Sequence, residues 1–148
     1  MPEQIPLELS ELQLNRAKET LTYVPAYINA GDYNGAINRA YYAAFHAIKA
    51  IEILDNFDSK KHSGVIAYFR QQYIKTGELD VSLSKIIETL QVRREDSDYN
   101  MTVKFNSEDA YDSLNKATTF VAAVEDYLNQ NLGITIDEDE SDDIIPSL

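Results

Sequence analysis

The sequence predicts an all-α fold, a five-helix antiparallel up-and-down bundle, on three observations. Apolar residues recur at steps of three and four along most of the chain, the spacing that lines one face of a helix. Only 5 Gly and 4 Pro occur in 148 residues, few of the breakers that punctuate all-β folds. No strand pattern is convincing beyond the short Ile134-Thr135-Ile136. The length suits a single domain that can bury a core, and the 44% apolar fraction is that of an ordinary globular protein.

The first helix is expected from about Ser10 to Asn29, with Leu14, Ala17, Leu21, Val24 and Ile28 in register. Pro25 should kink it or mark its last turn, and Gly31 ends it. Asp32 or Asn34 caps a second helix reaching about Asp55, with Ile37, Ala40, Ala44, Ile48 and Ile51 on one face. Ala40, Ala43, Ala44, Ala47 and Ala50 make that helix slim, which places it centrally and lets neighbours approach closely. After the polar loop Asn56 to Lys61, a third helix uses Val65, Ile66, Phe69 and Tyr73 until Gly77 stops it. Asp80 starts a fourth, with Leu83, Ile86, Ile87 and Leu90 facing inward. Asn106-Ser107-Glu108-Asp109, a cap followed by early acids, opens a fifth, which carries Leu114, Ala117, Val121, Val124 and Leu128 and ends at Gly133. The domain reading is a lead-in over 1–9, the bundle over 10–132 and an acidic tail over 133–148.

Net charge is −12, which argues against a general nucleic-acid binder, since such proteins displace counterions with basic faces. The charge is uneven. Asp137, Glu138, Asp139, Glu140, Asp142 and Asp143 hold six negatives in seven residues, and without them the formal charge is −6, so a local basic groove stays open. That acidic segment has too few apolar residues to fold alone and is expected to be mobile; Ile144-Ile145-Pro146-Ser147-Leu148 after it either dock on something or merely end a solubilising tail. The absence of cysteine rules out disulfides and thiolate metal sites and fits a reducing compartment. No 18-residue apolar run and no signal-peptide pattern occur, so the expectation is a soluble cytoplasmic protein away from membranes. There is no Gly-rich phosphate loop, no His-Glu-x-x-His and no Gly-x-Ser-x-Gly, and with two histidines no metal or cofactor is expected.

Two groups of residues carry chemistry. From Leu90, counting on by three and four reaches Arg94, Ser97 and Asp98, so charge continues a core-facing stripe; an unpaired charge there would be costly to desolvate. Arg94 with Asp98 is either a helix-end clamp, in the less favourable order for such a pair, or the floor of a site with Tyr99 beside it. On the second helix Arg39, Tyr42, His46 and Lys49 form one polar stripe, able to hold a phosphate or share in proton transfer. The same stripe also reads as a seam whose Tyr and His bury their rings and point their tips at water. His62 opens the third helix beside Lys60 and Lys61, as a ligand-steering group or as a plain loop residue.

The segments Ala36-Ile37-Asn38-Arg39-Ala40-Tyr41-Tyr42-Ala43-Ala44-Phe45-His46-Ala47, Lys61-His62-Ser63-Gly64-Val65 and Arg94-Glu95-Asp96-Ser97-Asp98-Tyr99 together resemble HEPN-domain proteins, a likeness covering about residues 10 to 130. The Tyr-Tyr-Ala block and the Arg-x-x-x-Asp-Tyr block carry it jointly. The resemblance implies a small helical bundle that pairs into a homodimer, often encoded beside a minimal nucleotidyltransferase in toxin–antitoxin fashion. It also implies that active members are metal-independent endoribonucleases, with Arg, four to six residues, then His as the motif.

This chain departs from the motif at its histidine. From Arg94 a four-residue gap leads to Tyr99, and from Arg93 the permitted gaps lead to Asp98, Tyr99 and Asn100. RNA cleavage through the 2′-hydroxyl wants groups that titrate near neutrality, and tyrosine sits near pKa 10. The expectation is therefore a protein that binds nucleotide or RNA phosphate and acts with a nucleotidyltransferase-type partner. An active ribonuclease and a non-catalytic protein-interaction dimer are the alternatives. The site expected has Arg94, Asp98 and Tyr99 lining a cleft with Arg39, Tyr42 and His46. His62 steers ligand, or either histidine stands in for the missing one.

Overall fold

The computed structural model describes residues 4–132. Five α-helices and no strand occur among them: α1 (Gln4–Asn29), α2 (Tyr33–Leu54), α3 (His62–Phe69), α4 (Ser82–Tyr99) and α5 (Ser107–Leu132). All five lie where the periodicity put them, and a π-helical turn, Arg70–Ile74, prolongs α3. Gly133, Ile134-Thr135-Ile136 and the acidic tail lie outside the described residues.

One boundary is corrected. Helix α1 begins at Gln4, six residues before the expected Ser10. Pro6 is tolerated because it falls in the first turn, where a backbone N–H has no helical acceptor to lose. Leu7 packs on the core, and Ser10 is fully inside the helix, buried and donating to the carbonyl of Ala50 at 2.7 Å. The helix also continues through Pro25 to Asn29. It closes on Gly31 (φ +78°), whose N–H reaches the Ile28 carbonyl while that of Asp32 reaches Tyr27, the paired bonds that a left-handed residue permits. Asp32 then caps α2 by accepting from the Gly35 N–H at 2.9 Å.

Helix α2 touches every other helix. Its Ala36, Ala40, Ala43, Ala44, Ala47 and Ala50 are wholly buried, so backbones approach closely on several sides at once. Around it, Leu14, Tyr41, Ile48, Phe69, Ile87, Leu90, Phe120 and Leu128 fill one core. The four long helices alternate in direction. Ser10 meets Ala50, Asn34 meets Ser97, and Arg93 meets Asp112, each contact joining the start of one helix to the end of its neighbour. The short α3 differs: loop 55–61 doubles back, so that His62 rests beside Tyr41 and Phe45 while Tyr73 returns to Asp55 at the end of α2. That reversal brings the start of α3 to the middle of α2.

Candidate functional site

Three elements converge on Tyr42. Helix α2 supplies Arg39, Tyr41, Tyr42, Phe45 and His46; the last turns of α4 supply Arg94 and Asp98; the first residue of α3 supplies His62. The Arg39 guanidinium lies 5.2 Å from the centroid of the Tyr42 ring, and that of Arg94 lies 5.5 Å from the same ring and 5.3 Å from Tyr41. Arg94 also donates from Nη2 to the Tyr42 hydroxyl at 3.3 Å. Two like charges thus share one aromatic neighbour, whose ring faces attract cations.

Neither arginine is saturated by carboxylate. Arg94 Nε stands 3.4 Å from Asp98 Oδ2, a loose ion pair, and is itself buried without a hydrogen-bond acceptor. Arg39 donates to the neighbouring Asn38 at 3.0 Å and has no ion pair among the described residues. Arg93, one residue earlier, contrasts with both. It reaches Asp112 at 2.8 Å and the buried Ser113 hydroxyl at 3.0 Å, and it ties α4 to α5.

The histidines are held in opposite senses. Tyr41 is wholly buried, and burial pushes its phenol above the ordinary range, so it keeps its proton. Its hydroxyl lies 3.0 Å from Nδ1 of His62 and has no other acceptor, so it donates there and leaves the ring hydrogen of neutral His62 on Nε2. The ring is stacked on Phe45 at 4.1 Å. His46 instead has Nδ1 at 3.0 Å from Oε1 of Gln13 on α1; an amide oxygen only accepts, so Nδ1 carries the hydrogen and Nε2 keeps its lone pair. Burial, then Arg16, Arg39, Lys49 and His62, hold the His46 pKa down to about 4. Burial, then Arg94 and Lys49, lower that of His62. In a chain of net charge −12, four cations bear on one pair of rings.

Of the residues singled out from sequence, Arg39, Tyr42, Arg94, Asp98 and His62 come together in this way. His46 adjoins them, 6.4 Å from Tyr42 ring to ring, on the α1 side. Tyr99 does not join them. It ends α4 at 76% exposure, and five residues past Arg94 is about 140° around a helix, so it points to another face. Three partners were missed. Tyr41 and Phe45 lie in the core, yet they set the proton and plane of His62; Gln13 lies 33 residues from His46, and no local pattern marks it. Among the described residues, no group of three or more His, Asp and Glu side chains is placed to hold a metal ion. Nor is any helix long and apolar enough to cross a membrane.

The HEPN domain family matches residues 10–127. A protein of Methanocaldococcus jannaschii named "Putative toxin MJ0142" is 34% identical over 121 residues, 82% of each chain. A UPF0332 protein of Thermotoga maritima is 31% identical over 118 residues, 80% of this chain and 89% of that one. The crystal structure of TT1696 from Thermus thermophilus shares the fold, with a TM-score of 0.69 at 19% identity over 80% of this chain and 98% of that one.

Proposed function

The chain belongs to the HEPN-domain family, and from that premise we propose that it binds the phosphates of RNA or of a nucleotide. We propose further that it does so as a homodimer, beside a nucleotidyltransferase-type partner in a toxin–antitoxin-like system. The toxin name carried by the M. jannaschii relative supports the setting. One observation carries the binding reading: two guanidinium groups flank Tyr42, Arg39 with no ion pair among the described residues and Arg94 with only a loose one to Asp98. A clamp built for stability would show the geometry of Arg93 and Asp112, short and satisfied. A phosphate between Arg39 and Arg94 would accept from both forks, and Asp98 would steady Arg94 without neutralising it. Tyr42 and the Nε2 hydrogen of His62 offer further donors, and the ring faces offer a surface for a base.

The test is fluorescence anisotropy with a labelled single-stranded RNA and, in parallel, with a labelled ATP analogue. Arg94→Ala and Arg39→Ala should each weaken binding by about tenfold or more, a loss of roughly 1.4 kcal/mol. Salt should weaken it further, because phosphate contacts release counterions. Equal affinity for wild type and both variants would refute the site.

A second reading is metal-independent RNA cleavage. It is favoured by one feature, that His62 reaches from α3 into the ring cluster of Arg94, so an arginine and a histidine meet in space where the sequence motif lacks the second. The tautomers give His46 a lone pair to take a proton and His62 a hydrogen to give. With a pKa near 4, His46 would be a weak base and turnover slow. An assay in EDTA comparing wild type with Arg94→Ala, His46→Ala and His62→Ala decides it. Cleavage lost in all three supports this reading, and no cleavage by wild type leaves binding alone.

A further inference from the structure

Helix α1 buries Ser10, Leu14, Ala17, Val24 and Ile28 against the bundle and turns a second stripe outward. That stripe runs Ile5, Leu9, Leu12, Arg16, Glu19 and Tyr23, in alternating steps of four and three, and Ala26 continues it. The alternation is that of the seam by which one helix meets another. All of these residues are exposed, Ile5 at 67%, Leu12 at 63% and Tyr23 at 49%. One exposed leucine needs no explanation; a line of large apolar side chains along a helix does.

The centre of the seam is charged and hollow. Leu12, Asn15, Arg16 and Glu19 line a groove of about 360 Å³. Arg16 and Glu19 stand one turn apart with opposite signs, yet among the described residues neither has an ion pair, with the other or with anything else. Glu19 bears on the Tyr23 hydroxyl one turn further along.

We infer that α1 of a second copy of this chain lies antiparallel on this seam, with Arg16 of each copy paired to Glu19 of the other. The inference deepens the homodimer reading, on which it rests. Setting Arg16 against Glu19 puts the two-fold axis between positions 17 and 18, and the rest of the register follows from that. Leu12 then meets Tyr23, Leu9 meets Ala26, and Ile5 meets Ala30 just past the helix end, each contact occurring twice. At the outer contacts a large side chain faces a small one, as interlocking helix surfaces require. A parallel pairing in register would instead set Arg16 on Arg16 and Glu19 on Glu19, so charge selects the antiparallel arrangement. The seam complements itself, which is what a two-fold contact between identical chains demands and what an unrelated partner does not. Arg16 is also one of the cations that lower the His46 pKa, so the contact reaches the edge of the phosphate site.

Light scattering of the full chain at tens of micromolar should show a dimer. Arg16→Glu and Glu19→Arg should each raise its dissociation constant by about tenfold or more, because each replaces two attractions with two repulsions. Combined, they exchange the charges and should restore the wild-type value. The chain has no cysteine, so an equimolar mixture of Leu9→Cys and Ala26→Cys chains under mild oxidation reads the register. The link between positions 9 and 26 should dominate over the two symmetric links. A wild-type chain that stays monomeric would overturn this contact and the homodimer reading together. A dimer indifferent to the single charge changes, not rescued by the double change, or without preference for the mixed link would keep the homodimer and overturn this face.

Discussion

Tyr41 donates its phenolic hydrogen to Nδ1 of His62 at 3.0 Å, so a fully buried core residue fixes which nitrogen of a half-buried ring faces outward. The coupling joins packing to chemistry. Arg94 lies over the same Tyr41 ring, so its charge meets the histidine through a short, low-dielectric path.

The first prediction concerns that path. Arg94 is a cause of the lowered His62 pKa, second to burial, and Lys49 is the third. Arg94→Ala should therefore raise the His62 pKa towards its ordinary value of about 6.5, with a smaller rise for Lys49→Ala. NMR titration of the imidazole signals reads this directly. A His62 titration identical in wild type and Arg94→Ala would show that the guanidinium does not act on the ring.

The second prediction separates two adjacent arginines. Arg93 satisfies Asp112 and the buried Ser113 at once, so Arg93→Ala leaves the buried Ser113 hydroxyl without its partner, while Asp112 keeps Lys116 at 3.0 Å. It should cost about 1–3 kcal/mol of stability and leave phosphate binding nearly unchanged. Arg94→Ala removes a loose ion pair and a donor that already lacks an acceptor, so it should cost less than about 1 kcal/mol while binding collapses. Urea unfolding beside anisotropy distinguishes them. Reversed behaviour would make Arg94 the clamp and Arg93 the site.

How far the sequence carries can be judged from such residues. The helices were legible because the apolar steps of Leu14, Ile48, Leu90 and Val124 are set by burial, which periodicity records. The Ser10 boundary failed because Pro6 reads as a breaker unless it is known to lie in a first turn. Arg39, Tyr42, Arg94 and Asp98 could be singled out as polar residues continuing or flanking buried stripes. Their meeting depends on helix crossing between α2 and α4, which no spacing encodes. The place of His62 was less legible still, since it depends on loop 55–61 doubling back. Tyr99 was grouped with Arg94 by adjacency in sequence, and the helix turns it away.

The third prediction follows from His46. Its pKa of about 4 in the folded protein lies below the ordinary 6.5, so between these values the unfolded chain binds more protons. Stability from this group is complete above about pH 6.5 and is lost as pH falls towards 4. His46→Gln, which cannot titrate, should remove this contribution, so its stability relative to wild type rises as pH falls from 7 to 4.5. Unfolding midpoints at pH 4.5 and 7 for both proteins provide the check, and parallel pH slopes would refute the assignment.

The fourth prediction runs the other way. Glu52 is 2% exposed on α2, its Oε2 has no hydrogen-bond partner, and burial, opposed by Lys49 and reinforced by Asp55 and Asp58, pushes its pKa up to about 8. The ordinary value is about 4.3, so between roughly pH 4.3 and 8 the folded protein holds the extra proton, and stability declines as pH rises through that window. A neutral Glu52 in the core is tolerated; an ionised one without a partner is not. Glu52→Gln keeps the shape and removes the titration. Relative to wild type it should gain stability steadily from pH 5 to pH 8 and then hold a constant advantage, measured as urea midpoints at pH 5, 6.5, 8 and 9. Between about pH 4.3 and 6.5 the His46 and Glu52 slopes oppose each other, so wild type should be nearly flat there and each single variant should expose the slope of the other. A Glu52→Gln curve that parallels wild type at every pH would mean that Glu52 is ionised in the folded protein and has found a partner.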